Sequence, residues 1–179
     1  GGTTEVAIIS LSAVAYSESL RVAGDELDEA IVRYLQKKHQ LAIGVIAAEK
    51  IKIEGASAFP IDSLSDSINV VGKDLLTSIP RSLKISKEEV REAIEEPISA
   101  IIDSVRRALE KLPAEFVSDL NETGMVLTGG GALLKGLDQR IENETGINVI
   151  VAEDPLVSVT MGCGRALEEM AKYKKVFIN

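Results

Sequence analysis

The run Gly124-Met125-Val126-Leu127-Thr128-Gly129-Gly130-Gly131-Ala132-Leu133 carries the most information in this chain. An apolar triplet leads into three consecutive glycines, and a helical apolar pattern follows over residues 133–141. Consecutive glycines let the backbone approach a ligand closely. A helix that starts behind such a loop points its free N–H groups into it. That layout suits an anionic or nucleotide ligand. A second loop, Gly1-Gly2-Thr3-Thr4, leads straight into another apolar run. Two glycine-rich loops at strand edges together point to a nucleotide cleft.

Working outward, Gly146 is a C-cap for the helix behind the glycine loop, and Val149-Ile150-Val151 reads as a short buried strand. A last helix is expected over residues 159–170. Upstream, Ile98, Ile101, Ile102, Val105, Leu109 and Leu112 repeat at helical spacing, which predicts a core helix starting near Pro97. Pro113 stops it and opens a short helix through Leu120. Ser86-Lys87-Glu88-Glu89 has the form of a capping box. Residues 67–71 and 83–85 look like strands, with turns expected at Gly72 and Pro80.

Residues 45–54 predict a helix that ends near Gly55. Asp25 is placed as the N-cap of an earlier helix whose apolar face is Leu27, Ala30, Ile31, Tyr34 and Leu35. Val6-Ala7-Ile8-Ile9 and Val14-Ala15-Tyr16 predict a β-hairpin turning near Ser12. Strands followed by helices at both ends favour an α/β layer, a mixed sheet with flanking helices. On this reading residues 1–24 and 97–179 form one subdomain, and residues 25–96 form a smaller α+β subdomain inserted into it.

Composition narrows the function classes. The chain has 179 residues, 45% of them hydrophobic, and 20 basic against 28 acidic residues for a net charge of −8. That acidity argues against a nucleic-acid partner, which needs clustered Lys and Arg for phosphate contacts. Cys163 and His39 are the sole cysteine and histidine. An internal disulfide and a Cys/His zinc site are therefore both excluded, and a reducing cytoplasm is the natural compartment. Cys163 is expected to be a small buried apolar residue, and Gly162 and Gly164 to permit close helix packing. A chain that opens on glycine inside a functional loop reads as the later part of a longer protein.

These runs resemble the actin-like ATPase superfamily and, within it, the MreB family of bacterial cell-shape proteins. The resemblance covers essentially the whole chain. It rests on Gly1-Gly2-Thr3-Thr4-Glu5-Val6-Ala7 as a second phosphate loop and on Arg21-Val22-Ala23-Gly24-Asp25-Glu26-Leu27-Asp28-Glu29-Ala30 as the entry to an upper subdomain. Ala48-Glu49-Lys50-Ile51-Lys52 is similar to the nucleotide-contacting helix, and residues 124–132 to the adenosine motif. Val151-Ala152-Glu153-Asp154-Pro155-Leu156 and Gly162-Cys163-Gly164 are further family runs. The sequence departs from the usual family order at Glu54-Gly55-Ala56-Ser57, and the Asp usual in the second phosphate loop would fall before Gly1.

The resemblance implies the second half of an actin-like ATPase fold, with an RNase H-like lower subdomain. It implies ATP or ADP as ligand, with Mg2+ held through phosphates and water. Gly1, Gly2 and Thr3 would offer amides to phosphates, with Thr3 or Thr4 bonding phosphate or positioning the attacking water. Gly24 and Asp25 would line the same site, Glu49 and Lys52 would lean toward ribose and base, and Gly129, Gly130, Gly131 and Ala132 would lie beneath the adenosine.

It also implies filaments built by self-association and work alongside cell-shape and cell-wall synthesis proteins. The setting would be the cytoplasm at the inner face of the cell membrane, contacted mainly through the family's first half. The isolated chain is expected to bind ATP weakly and turn it over negligibly. Two alternatives are a kinase or chaperone ATPase on the same fold, and an interaction module with vestigial glycine loops.

Overall fold

The computed structural model describes residues 1–10, 13–60, 67–170 and 173. Strands β1 (Thr4–Ser10) and β2 (Ala13–Leu20) form the expected antiparallel hairpin, with Thr4 opposite Leu20 and an irregularity at Ile8/Ile9. Ser12, where the turn was expected, lies outside the described residues. Helix α1 (Gly24–His39) buries Leu27, Ala30, Ile31 and Leu35, the face read from the periodicity. After the short β3 (Leu41–Ala42), α2 (Val45–Gly55) follows as predicted.

Strands β4 (Ser67–Asp74) and β5 (Pro80–Ser86) pair with β3 in an antiparallel sheet ordered β3-β4-β5. Both expected turn positions are corrected here. Gly72 lies within β4, and Pro80 starts β5. Gly72 is glycine because β3 crosses it closely: a Cβ there would sit 2.5 Å from the Ala42 carbonyl oxygen. The real turn is organised by Asp74, whose Oδ1 accepts from the Leu76 and Thr77 amides, each at 2.9 Å, while Oδ2 meets Arg81 at 2.7 Å.

Helix α3 (Lys87–Glu110) is the spine of the molecule. It opens on the predicted capping box, in which Ser86 Oγ accepts from the Glu89 amide and the Glu89 carboxylate accepts from the Ser86 amide. It does not start at Pro97. Pro97 is buried inside it, where it removes one backbone bond to the preceding turn. Val90, Ile94 and Ile98 carry the apolar stripe through the proline unbroken, and that burial outweighs the lost bond. Ion pairs mark the neighbours along the helix. Glu89 and Glu92 reach His39 and Lys38 of α1, while Arg107 reaches Glu18 of β2.

Glu89 ties two helix ends together, since Oε1 meets His39 Nε2 at 2.9 Å while the box uses Oε2. Burial opposes its ionisation, but the Ser86 amide, His39 and Lys38 hold its carboxyl below the ordinary glutamate value. A lowered folded pKa adds stability above the unfolded value of about 4.3, and that stability is lost as pH falls through the folded value. Glu89→Gln should therefore cost roughly 1 kcal/mol near neutral pH. The gap in urea midpoint between the two proteins should close on acidification, and a gap constant with pH would refute this account.

Helix α4 (Ala114–Thr123) follows Pro113. The parallel pair β6 (Met125–Leu127) and β7 (Val149–Val151) is connected through α5 (Leu137–Thr145), which packs on β7. Gly146 caps α5 at φ 72°, as expected. Arg140 of α5 meets Glu95 of α3 at 2.7 Å, and Arg106 of α3 pairs with Glu144. Strand β7 is less buried than expected, since Val149 is covered but Ile150 is half exposed. The final helix, α6 (Ser158–Glu168), also departs from expectation. Cys163 is exposed, and a Cβ on Gly162 or Gly164 would meet nothing within 4 Å. Among the described residues, no helix is long and apolar enough to cross a membrane.

Candidate functional site

The first cluster forms where the opening loop folds back on α1. Ala23, in extended conformation, precedes the helix and offers no side-chain cap. Asp25 is thus in the first turn and is not the N-cap. Its amide donates to the Gly1 carbonyl at 3.4 Å, and its carboxylate lies so near Gly1 that a Cβ there would be 2.7 Å from Oδ1. A carboxylate in this turn is favoured by the helix dipole. From α2, the Lys52 ammonium donates to the Gly24 carbonyl at 3.0 Å and to Asp28 Oδ2 at 2.8 Å. Gly1, Gly2, Gly24, Asp25 and Lys52 are therefore brought together.

Asp28 is the residue that sequence reasoning missed. Its side chain is only 6% exposed, and its second oxygen is buried without a hydrogen-bond partner. Burial pushes its carboxyl above the ordinary aspartate value. Lys52 opposes that shift, and the nearby charges of Glu49 and Asp25 add to it. Glu49 itself is exposed on the same side of α2. The missed signal was an acid at i+4 from Gly24, set among Leu27, Ala30 and Ile31 on the apolar face. A charge there is costly unless it has a partner.

The two threonines differ. The Thr4 hydroxyl donates to the Val22 carbonyl at 2.8 Å and so ties β1 to the link before α1. The expected Thr4 donor is already in use. Thr3 is exposed.

The second cluster is the glycine loop after β6. Thr128 Oγ1 and the Gly129 amide both donate to the Pro155 carbonyl, at 3.3 and 2.9 Å, pinning the loop to the segment behind β7. Gly129 has φ 84°, a conformation that side chains rarely adopt. Gly130–Leu133 make one tight 3-10 turn in which Ala132 is buried. The outer faces of the glycines are open. A Cβ on Gly129 or Gly131 would meet nothing within 4 Å, and one on Gly130 would reach Leu156 at 3.7 Å.

One expectation is overturned here. The helix does not run on from Leu133, because the chain breaks at Gly136 (φ 71°) and α5 begins at Leu137. The segment leaving α2 causes the break. Ala58 donates to the Lys135 carbonyl at 2.8 Å, and a Cβ on Gly136 would lie 2.8 Å from that of Phe59. The loop thus presents open backbone without a long helix behind it. The contact joins the exit of α2 to the far side of the loop. Among the described residues, no recorded hydrogen bond joins residues 129–132 directly to the Lys52 cluster, and no group of three or more His, Cys, Asp or Glu is placed to hold a metal ion.

A family model described as MreB/Mbl protein matches residues 1–175. The chain belongs to the MreB/Mbl family. It is 50% identical over 168 residues to the cell shape-determining protein MreB of Escherichia coli strain K12, covering 94% of this chain and 48% of that protein. It is 39% identical over 175 residues to the cell shape-determining protein Mbl of Bacillus subtilis, covering 98% and 52%. The chain spans about half the length of the curated relatives it matches.

Among solved structures, MreB5 of Spiroplasma citri bound to AMPPNP superposes with a TM-score of 0.90 at 32% identity, over 96% of this chain and 51% of that one. The same protein bound to ADP matches equally well. The MamK double helical filament matches at a TM-score of 0.77 and 21% identity, a likeness of fold. The fold of this MreB/Mbl chain is actin-like.

Proposed function

We propose that this chain is the second half of an MreB-type bacterial actin that binds ATP and ADP, assembles into filaments and controls rod cell shape. The observation that carries this reading is the superposition, at a TM-score of 0.90, on a relative captured with both AMPPNP and ADP. Gly1, Gly2 and Thr3 present the phosphate-side amides, with Thr3 placed to position water. Gly24 and Asp25 border them. Glu49 and Lys52 face ribose and base, and the open backbone of residues 129–132 lies under the adenosine.

Mg2+ enters with the nucleotide, held by phosphates and water. Residues 25–96 act as an inserted upper subdomain, so its border with the lower one runs through α3. Loss of the γ-phosphate shifts the preferred angle between subdomains and weakens the filament. The partners are further copies of the chain and the cell-shape and cell-wall synthesis machinery, at the inner face of the membrane.

The test is sedimentation and nucleotide titration of the chain extended to the full length of its relatives. Gly130→Trp is the informative variant, since Gly130 is exposed with only Leu156 near, so the fold should tolerate it. Magnesium ATP should drive pelleting of the parent, and the variant should bind ATP at least tenfold more weakly, about 1.4 kcal/mol. A parent that binds ATP but stays in the supernatant at every concentration would sink the filament reading and favour a kinase or chaperone.

A further inference from the structure

We infer that Asp28 is a positioning residue for nucleotide binding, acting through Lys52; this rests on the nucleotide-site reading above. An ammonium has three N–H donors. In Lys52 one is directed at the Gly24 carbonyl and one at Asp28 Oδ2, at 3.0 and 2.8 Å. These two acceptors stand four residues apart at the start of α1, and they hold a flexible four-carbon side chain in one place. The third donor is left for a ligand. A lysine held in advance loses less freedom on binding than one that must be ordered by the ligand.

Burial makes the hold firm. The Lys52 and Asp28 side chains are 17% and 6% exposed, so water competes weakly for the pair. Asp28 also matches charge at the site, where Asp25 and Glu49 are close enough to act on its ionisation. Lys52 is the cation that the structure places among these three acids. Without Asp28, the Lys52 ammonium is free to swing toward Asp25 or Glu49. The ligand then meets a lysine that is already committed elsewhere.

The experiment is a double-mutant cycle on AMPPNP affinity in the chain at the full length of its relatives, using Asp28→Asn, Lys52→Gln and the double variant. Asp28→Asn should weaken binding about tenfold when Lys52 is present and by less than about twofold in the Lys52→Gln background. Asp28→Leu is the second variant. It replaces a buried carboxylate by an apolar group of similar size, so the urea midpoint should hold while affinity falls. A purely structural role would move the midpoint and leave the two backgrounds equally affected. Equal loss in both backgrounds, or no loss in either, overturns the inference alone. A parent chain that binds no AMPPNP overturns the nucleotide-site reading and this inference with it.

Discussion

Replacing Lys52 by Met should destabilise the protein by about 2–3 kcal/mol near neutral pH, the lower side of the range for breaking a buried ion pair. The discount reflects the 17% exposure of Lys52, which lets water share in screening the pair. The cost arises on the other partner. Asp28 stays buried with one oxygen already unpartnered and would lose the donor on the other.

The sign of the pH dependence follows. Burial already raises the Asp28 carboxyl, against the pull of Lys52. A carboxyl raised in the folded state favours folding below its unfolded value of about 3.9, and that stability drains away as pH climbs through the folded value. Without Lys52 the folded value rises further. The deficit of Lys52→Met should then be largest at neutral pH and shrink toward pH ~4, where Asp28 can fold neutral. Urea midpoints across that range check it, and a deficit that grows on acidification would refute it.

The second large effect is expected at Ile94, which is fully buried in the first half of α3. Ile94→Ala should cost about 2–5 kcal/mol, from lost burial plus the cavity left behind. Ile46→Ala is the internal control. At 74% exposure it should change stability by no more than about 0.5 kcal/mol. The two isoleucines are chemically alike, so the comparison isolates burial. Similar urea midpoints for both variants would mean that α3 is not the packed spine described above.

The same residue shows why part of the fold was hard to read. Proline at position 97 is a good helix opener, and local preference placed the start of a helix there. The capping box eleven residues earlier is also a start signal, and both cannot open the same helix. Burial of Val90, Ile94 and Ile98 against other elements resolves the conflict, and nothing in the local sequence prices that burial. Gly72 misled in a similar way. It reads as a turn, yet it is glycine because β3 passes within contact distance.

The candidate site divides along the same line. Glycine loops announce themselves because the backbone they need excludes other residues. Gly129, Gly130 and Gly131 stand open in the structure, as their spacing implied. The helix expected directly behind them failed because Phe59, seventy residues earlier in the chain, occupies the space beside Gly136. Asp28 was invisible for an opposite reason. An acid four residues into an acidic helix looks like solvated surface, and only Lys52, arriving from another helix, makes it part of a site.

The sequence by itself determined the features that depend on a few neighbouring residues. These are the hairpin, the apolar faces of α1 and α3, the capping box at Ser86, the open glycine loop and, through the order of its motifs, the family. Tertiary structure alone decided where α3 begins, why Gly72 and Gly136 must be glycine, and which acid holds Lys52. Each of those depends on a contact between segments far apart in the chain, and local preferences worth a fraction of a kcal/mol per residue yield to burial and charge pairing worth several.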